Sequence, residues 1–342
     1  MKDKIHGGDV YRHKNALDFS ANMNPLGTPE AVIRAAAESL REIHNYPDIR
    51  MEALRQGLSA YEQVPEDYLV CGNGAAEVIF MLALALRPRR ALIPAPTFAE
   101  YEQALRLAGT EISYFELKEE EGFRVTERIL EVITPGTEFL MLCNPNNPTG
   151  TLIEPELMGR ILERCRRTDT FLAVDECFQD FIEEPERYTL KAALKDHEKL
   201  FLLKAFTKRY AMAGIRLGYG ICSDLRLLEA MRDCVQPWNV SIPAQAAGAA
   251  ALREEAYVEK AREIVRTERE FLRKRLGELG FQVYDSRANY LFFKGPEGLT
   301  EKALSRGILI RDCGNYRGLG PGYYRAAVKT HEENLKLLEA LA

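Results

Sequence analysis

The chain has 342 residues, of which 46% are hydrophobic, and its formal net charge is -5 at pH 7. This length allows one large and one small domain with a substantial core, and the acidic balance argues against a nucleic-acid binder held by phosphate contacts. The sequence has no apolar run near the roughly 20 residues of a membrane span and no zinc-like histidine spacing, so we expect neither a membrane span nor a metal site. Seven cysteines without a Cys-x-x-Cys pair, and a start that lacks the apolar core of a signal peptide, predict a cytoplasmic protein.

The first two thirds of the chain show the rhythm of an α/β protein. An irregular arm over residues 1–27 precedes helical patterns near 29–43 and 51–62. From residue 68 to about residue 231, amphipathic helical patterns alternate with short runs that are apolar throughout, at 91–93, 139–142, 171–174 and 200–203. Fully apolar strands are typical of a sheet covered on both faces, so this alternation predicts a doubly wound, mostly parallel sheet, of the seven-stranded type.

The last third predicts a smaller unit. A charge-laced helical pattern over 244–279 leads to four strand patterns, at 283–284, 290–293, 308–310 and 324–328, and to a closing helix. We therefore expect an arm with the first helix (1–45), a large cofactor-binding domain (46–240), a long connecting helix (241–278) and a small α+β domain (279–342).

The segment 206–220 carries Lys208 and Arg216, eight residues apart in a glycine-punctuated loop after an apolar strand. A lysine amine in an apolar pocket can lose its proton and bond an aldehyde, and a guanidinium offers a bidentate fork to a phosphate. The pair predicts a site for pyridoxal 5'-phosphate (PLP). Taken alone, it also fits two ordinary cations of a surface loop.

Three further segments strengthen this prediction. The turn 144–150 carries Asn147, which can donate to a phenolate oxygen on a cofactor ring, and the strand 171–174 ends at Asp175, which can keep a pyridine nitrogen protonated. The segment 70–77 runs from a strand through a glycine turn into a helix, whose first amides can cradle a phosphate. Each segment alone can be a turn, a cap or a plain loop. Their order along the chain favours PLP.

At this point the sequence resembles the fold type I PLP-dependent enzymes, the class I/II aminotransferase family with the aspartate aminotransferase-like fold. Within it, the chain is similar to the branch of histidinol-phosphate aminotransferases and of the threonine-phosphate decarboxylases of the cobalamin pathway. The resemblance covers nearly the whole chain. It is closer to the decarboxylases through the segments 6–8, 18–27, 287–291 and 308–316.

The resemblance implies the cofactor contacts. Lys208 would bond the cofactor, and Asp175 would lie under its pyridine nitrogen. The other contacts would be Asn147 at the ring hydroxyl, Phe98 on the ring face and, around the phosphate, Ala75, Ala76, Thr207, Arg216 and, from a second subunit, Tyr46.

The resemblance also implies the substrate contacts. Arg325 would take the substrate carboxylate, next to Asn147. The rest of the substrate, including a distal phosphate, would be held by Arg311, His6, Gly7 and Asn22. The implied partner is a small phosphorylated amino acid, and the implied assembly is a homodimer with shared active sites.

Two positions depart from the family pattern. Three residues before the lysine, where the family usually has a Ser or Thr that binds the phosphate, this chain has Ala205, which lowers the expected cofactor affinity. Three residues after the aspartate, where aminotransferases of this branch usually have Tyr, this chain has Phe178. The decarboxylase-like members tend to have Phe there, which favours that assignment.

The leading hypothesis is decarboxylation of a phosphorylated amino acid, with threonine phosphate favoured. The alternative is histidinol-phosphate or related aminotransferase activity. A non-catalytic PLP-sensing regulator is disfavoured, because such a module should carry a DNA-binding extension and this chain is acidic. The same residues serve decarboxylation and transamination, so the sequence predicts the cofactor better than the reaction.

Overall fold

The structure, a computed structural model, describes residues 6–342. Its strands are β1 (Leu17–Asp18), β2 (Leu69–Gly72), β3 (Arg90–Ala95), β4 (Glu111–Glu116), β5 (Phe139–Cys143), β6 (Phe171–Asp175), β7 (Leu200–Ala205), β8 (Gly218–Ile221), β9 (Gln282–Val283), β10 (Tyr290–Lys294), β11 (Ile308–Leu309), β12 (Arg311–Asp312) and β13 (Tyr323–Ala327). Its helices are α1 (Glu30–Ser39), α2 (Glu52–Glu62), α3 (Ala75–Leu86), α4 (Ala99–Leu107), α5 (Ile129–Val132), α6 (Pro155–Thr168), α7 (Pro185–Tyr188), α8 (Phe206–Arg209), α9 (Leu225–Asp233), α10 (Ile242–Ala251), α11 (Glu255–Glu278), α12 (Leu299–Ser305) and α13 (His331–Leu341).

The central feature is a seven-stranded sheet with the order β2-β8-β7-β6-β5-β3-β4. Only β8 runs antiparallel to its neighbours; the other adjacent strands are parallel. Alternate side chains of β5 enter two separate apolar clusters: Leu140 and Leu142 one, Phe139, Met141 and Cys143 the other. Because side chains alternate across a strand, the sheet is covered on both faces. The predicted doubly wound α/β fold is confirmed.

A second sheet, with the order β12-β13-β10-β9, is antiparallel throughout. Its core combines strands, α11, α13 and the N-terminal arm, because Phe19 packs in the same apolar cluster as Leu291 and Leu337. The arm is also joined by backbone hydrogen bonds, since β1 pairs in parallel with β11. The predicted strand over 308–310 is shortened to β11, which pairs with the arm, and a second short strand that was not predicted, β12, follows and pairs with β13.

The segment predicted as one connecting helix contains two helices, α10 and α11, with a turn between them. In that turn the amides of Arg253 and Glu254 bond to carbonyls three residues earlier, on Ala250 and Ala251, so the helix tightens and ends. Neither glycine nor proline marks this break in the sequence. The division into 1–45, 46–240, 241–278 and 279–342 stays a prediction.

The parallel strands β5, β6 and β7 end at one edge of the large sheet, at Cys143, Asp175 and Ala205. Ligands collect at this carboxyl edge in open α/β sheets. The loops that follow these strands face the small sheet and the arm across a cavity. Over residues 6–342, we find no helix with the length and apolarity needed to span a membrane.

Candidate active site

A cavity of about 430 Å³ lies at this edge. Thirteen of the fourteen sequence-predicted site residues line it: His6, Gly7, Asn22, Ala75, Ala76, Phe98, Asn147, Asp175, Thr207, Lys208, Arg216, Arg311 and Arg325. They come from the arm, from the large sheet with the loops at its carboxyl edge, and from the small sheet. Their individual roles stay predictions.

Lys208 lies on α8, the single helical turn that follows β7 directly. Burial, and after it the positive charge of Arg325, lowers the pKa of Lys208 to about 7. Within the described part of the chain, no carboxylate lies within 4.0 Å of its amine. A neutral amine is the form that bonds an aldehyde, so the environment suits covalent attachment of a carbonyl compound.

Asp175, the last residue of β6, is buried and accepts two hydrogen bonds. The hydroxyl of Tyr101 donates to Oδ2 at 2.5 Å, and the backbone N–H of Cys177 donates to Oδ1 at 2.8 Å. Burial raises the pKa of Asp175. A protonated ring nitrogen beside this carboxylate would offset that burial and keep the carboxylate ionised. Tyr101 also packs edge-on against Phe98, with ring centroids 5.5 Å apart.

The amino end of α3 and Arg216 form a concave, positively charged surface. A Cβ added to Gly74 would lie 2.5 Å from Nη2 of Arg216, and one added to Gly218 would lie 2.3 Å from the backbone nitrogen of Ala75. The lack of a side chain at Gly74 thus makes room for the guanidinium of Arg216. The lack of a side chain at Gly218 lets the start of α3 lie close to β8. Free amides at a helix start together with a guanidinium suit a phosphate. The residues present therefore fit PLP, whose phosphate would lie here and whose ring nitrogen would lie at Asp175.

Arg325, on β13, is buried and held by neutral acceptors. Its Nη1 donates to Oδ1 of Asn147, and its Nη2 donates to the carbonyl of Ser20 at 2.8 Å. Its Nε is buried and has no hydrogen-bond partner in the structure. Because neither acceptor is charged, the guanidinium keeps its full positive charge for a ligand.

Arg311 is the cross-strand partner of Arg325 and is also buried. It donates to the carbonyl of Asp312 at 2.5 Å and to Oδ1 of Asn315 at 2.8 Å, and its guanidinium lies 5.3 Å from the ring centroid of Tyr316. In the range 6–342, neither arginine has a carboxylate within 4.0 Å. Two buried cations without a counter-anion predict a ligand with more than one anionic group.

The arm completes this side of the cavity. A Cβ on Gly7 would lie 2.2 Å from the carbonyl oxygen of Ser20, so only glycine fits there. His6 pairs with Glu100 at 3.4 Å and is half exposed. Asn22 is buried, and its Oδ1 has no hydrogen-bond partner in the structure. A buried acceptor that lines a cavity is a candidate contact for a donor on a ligand.

Tyr46 is the one predicted site residue that does not line the cavity. It is 76% exposed and stacks on Trp238, with centroids 4.4 Å apart. The prediction placed Tyr46 in the site of a second subunit, so a single chain does not test it.

The two departures from the family pattern both border the cavity. Ala205 lines it and offers no hydroxyl. Phe178 is buried and packs edge-on against Tyr290, with centroids 5.0 Å apart. A hydroxyl is therefore lacking at both positions.

Several residues at the site were missed by the sequence analysis. The cavity is also lined by Ser20, Ala21, Ile79, Tyr101, Cys143, Cys177 and Tyr316. Tyr101 has a weak sequence signal, since it follows Phe98 by three residues and so shares one helix face with it. For metal binding, residues 6–342 contain no cluster of three or more suitable side chains.

Comparison with known proteins agrees with this geometry. The model of the family "Aminotransferase class I and II" matches residues 14–341. A threonine-phosphate decarboxylase from Salmonella typhimurium is 40% identical over 99% of this chain and 96% of its own length.

Two solved structures are similar as well. A histidinol-phosphate aminotransferase from Clostridium acetobutylicum superimposes with a TM-score of 0.88 at 30% identity, covering 95% of this chain and 98% of its own. The L-threonine-O-3-phosphate decarboxylase from Porphyromonas gingivalis has a TM-score of 0.84 at 26% identity, with 94% and 97% covered. The chain belongs to the aminotransferase class I and II family and is a PLP-dependent enzyme.

Proposed function

We propose that this enzyme decarboxylates a phosphorylated amino acid, with L-threonine O-3-phosphate as substrate and the amino-propanol phosphate as product, a step of cobalamin biosynthesis. The observation that carries the proposal is the cross-strand pair of Arg311 and Arg325, two buried cations that face one cavity. A phosphorylated amino acid carries a carboxylate and a phosphate, one anion for each guanidinium. The similarity to the Salmonella decarboxylase supports the same substrate class.

Each cation is assigned one anion. Arg325 takes the carboxylate, because it donates to Asn147, which lies in the loop after β5, the strand paired with the one that ends at Asp175. Arg311 takes the phosphate together with His6 and Asn22, which border the cavity from the arm. Charge-assisted hydrogen bonds of this kind are short and about twice as strong as neutral ones.

The reaction needs an electron sink, which PLP supplies when it is bound. Asp175, which accepts a hydrogen bond from Tyr101, would keep the ring nitrogen of bound PLP protonated. Lys208, with its pKa near 7, is able both to accept and to return a proton at Cα. The bond that breaks is the one that is perpendicular to the ring, so the side chains that orient the carboxylate decide between loss of CO2 and loss of a proton.

Transamination of histidinol phosphate or a related amine is the second candidate. The solved aminotransferase with a TM-score of 0.88 favours it, and Lys208 would then act as the base at Cα. Phe178 argues for decarboxylation, because the aminotransferases of this branch usually place a tyrosine hydroxyl there.

We also propose a homodimer with shared sites in the cytoplasm. The segment 33–49 exposes Ile33, Leu40, Ile43, Tyr46 and Ile49 next to Trp238, and exposed apolar groups in one region are typical of interfaces. The cytoplasmic location rests on the cysteines, all seven of which are unpaired.

The proposal is tested by CO2 release from threonine phosphate and from threonine, each with the PLP-loaded enzyme. Arg311→Gln should lower kcat/KM for threonine phosphate tenfold or more. A hydrogen bond to a charged group contributes roughly 1.5 to 3 kcal/mol, which corresponds to a loss of this size. Arg317→Gln is the matched control, because Arg317 is exposed and pairs with Glu102 outside the cavity. Equal turnover of both substrates by the wild type, or equal effects of the two variants, would contradict the proposal.

A further inference from the structure

Tyr290 is a buried residue of the segment 287–291 to which the sequence analysis assigned no role, and at the start of β10 it contacts Phe178 and Arg325, which line the cavity. It is fully buried and shares a face of the small sheet with Arg325, because Phe292, two residues on, is the cross-strand partner of Arg325. The guanidinium of Arg325 lies 5.4 Å from the centroid of the Tyr290 ring. At that distance the ring attracts the cation and supports one side of it.

The hydroxyl of Tyr290 reaches the other sheet. It donates to the carbonyl of Asn146 at 2.7 Å, across the cavity edge from β10 to the loop after β5. That loop carries Asn147, which accepts from Arg325. The ring of Tyr290 therefore contacts Arg325. Its hydroxyl binds Asn146, the neighbour of Asn147, which accepts a hydrogen bond from Arg325.

The Asn146 side chain secures the rest of the loop. Its Nδ2 donates to the carbonyl of Pro96 at 3.1 Å and to Thr149 at 2.9 Å, and its Oδ1 accepts from Thr97 at 2.8 Å. These contacts lie within the large sheet and its loops. The bond from Tyr290 links this loop to the small sheet, beside the bond from Arg325 to Asn147 and the bond from the Arg287 amide to the Gly150 carbonyl.

We propose that Tyr290 is a positioning residue that sets Arg325 and Asn147 relative to each other for recognition of the substrate carboxylate. The proposal rests on the proposed function, in which Arg325 takes that carboxylate. Loss of the hydroxyl should weaken recognition of the carboxylate and leave the contacts to the substrate phosphate intact, because those contacts come from Arg311 and from the arm.

The chain offers a matched control. Tyr324 is also fully buried, lies on the strand next to β10, and donates from its hydroxyl to the carbonyl of Pro296 at 2.8 Å. Neither tyrosine lines the cavity, but only Tyr290 contacts Arg325 and the loop that carries Asn147. Tyr290→Phe and Tyr324→Phe thus remove the same chemical group from similar surroundings, and only Tyr290 contacts residues of the site.

The experiment compares KM and kcat for threonine phosphate with the inhibition constant of the amino-propanol phosphate, which lacks the carboxylate. For Tyr290→Phe we expect KM to rise about tenfold, as loss of one ordinary hydrogen bond would give, with kcat and the inhibition constant changed less than twofold. Tyr324→Phe should leave all three within twofold. Equal KM values for the two variants, or a parallel rise of KM and the inhibition constant, overturn the proposal.

Two further arms keep the outcome decisive. If the wild type releases no CO2 from threonine phosphate, the proposed function fails. Tyr290 is then tested by comparing KM for glutamate with the inhibition constant of 4-aminobutyrate, which is glutamate without its α-carboxylate. If Tyr290→Phe does not retain PLP, Thr97→Val loosens the same loop from its other side. For Thr97→Val, a rise in KM for threonine phosphate without a rise in the inhibition constant of the amino-propanol phosphate supports the proposal, and an unchanged KM overturns it.

Discussion

Lys204 and Lys208 lie four residues apart, yet only Lys204 has carboxylate partners among the residues that the structure describes. Its amine lies 3.5 Å from Glu62 and 3.4 Å from Glu176. Burial opposes the charge on Lys204, but these two carboxylates outweigh burial and hold its pKa above its ordinary value. Lys208 lines the cavity, and burial together with the positive charge of Arg325 lowers its pKa to about 7. The two amines therefore differ in chemistry.

The first prediction follows from this difference. In cofactor-free protein the amine of Lys208 is protonated below pH 7 and neutral above it, so the rate of PLP capture should rise through about pH 7 and then level off. Borohydride reduction and peptide mapping should place the label on Lys208. Lys204→Arg, which keeps the charge, should leave the pH profile unchanged, and Lys208→Ala should abolish the label. A label on Lys204, or a profile that rises only near pH 10, would refute the assignment.

The second prediction concerns the phosphate cradle. Gly74→Ala places a Cβ against Arg216 at a φ of +85°, whereas Gly109→Ala has a similar φ of +81° and no atom within 4 Å. Both should lose about 1 to 3 kcal/mol of stability, because a positive φ is strained for a residue with a Cβ. Only Gly74→Ala should also release PLP faster, by about tenfold or more, because the guanidinium must move. Equal PLP dissociation rates in the two variants would contradict a phosphate site at Gly74 and Arg216.

The third prediction concerns Ala205, which lines the cavity where the family usually has a hydroxyl. Ala205→Ser should slow PLP dissociation, since a hydroxyl donating to the phosphate contributes about 1 to 3 kcal/mol. Ala108→Ser, at the end of α4 and away from the cavity, is the control. An unchanged or faster rate would mean that another group already occupies that position.

Part of the fold and part of the candidate site could be predicted from the sequence. The strands β3, β5, β6 and β7 were predictable, because continuous apolar runs mark strands covered on both faces. Thirteen site residues lie together as the resemblance implied. The position of Lys208 and Asp175 at the cavity was predictable, because Asp175 ends such a strand and Lys208 lies three residues after the end of another.

Other features depend on tertiary contacts that no local pattern records. The cross-strand pairing of Arg311 with Arg325 depends on the register between two residues fourteen positions apart, and the split of 308–312 between two sheets depends on where the arm docks. Tyr101 and Tyr290 act through contacts with residues far away in the chain, Asp175 and Asn146. From the sequence alone, a buried tyrosine can be predicted only as a residue of the hydrophobic core.

The fourth prediction concerns the shared site. Co-expressed Lys208→Ala and Tyr46→Phe chains should form hybrid dimers in which one site has both native groups, so PLP-dependent activity should exceed the sum of the two separate variants. Wild type co-expressed with the double variant yields hybrid dimers without such a site and serves as the control. Full activity in a demonstrably monomeric sample would refute the shared site.

The most direct test of the account is a single turnover of threonine phosphate by the PLP-loaded enzyme in the presence of 2-oxoglutarate, with CO2 and glutamate both quantified. We expect one CO2 and one amino-propanol phosphate for each substrate consumed, without glutamate, and little glutamate when histidinol phosphate replaces threonine phosphate. This result follows if Arg325 and Arg311 hold the two anions so that the carboxylate is the group that leaves. Glutamate from histidinol phosphate, with no CO2 from threonine phosphate, would contradict decarboxylation and establish the aminotransferase reaction in its place.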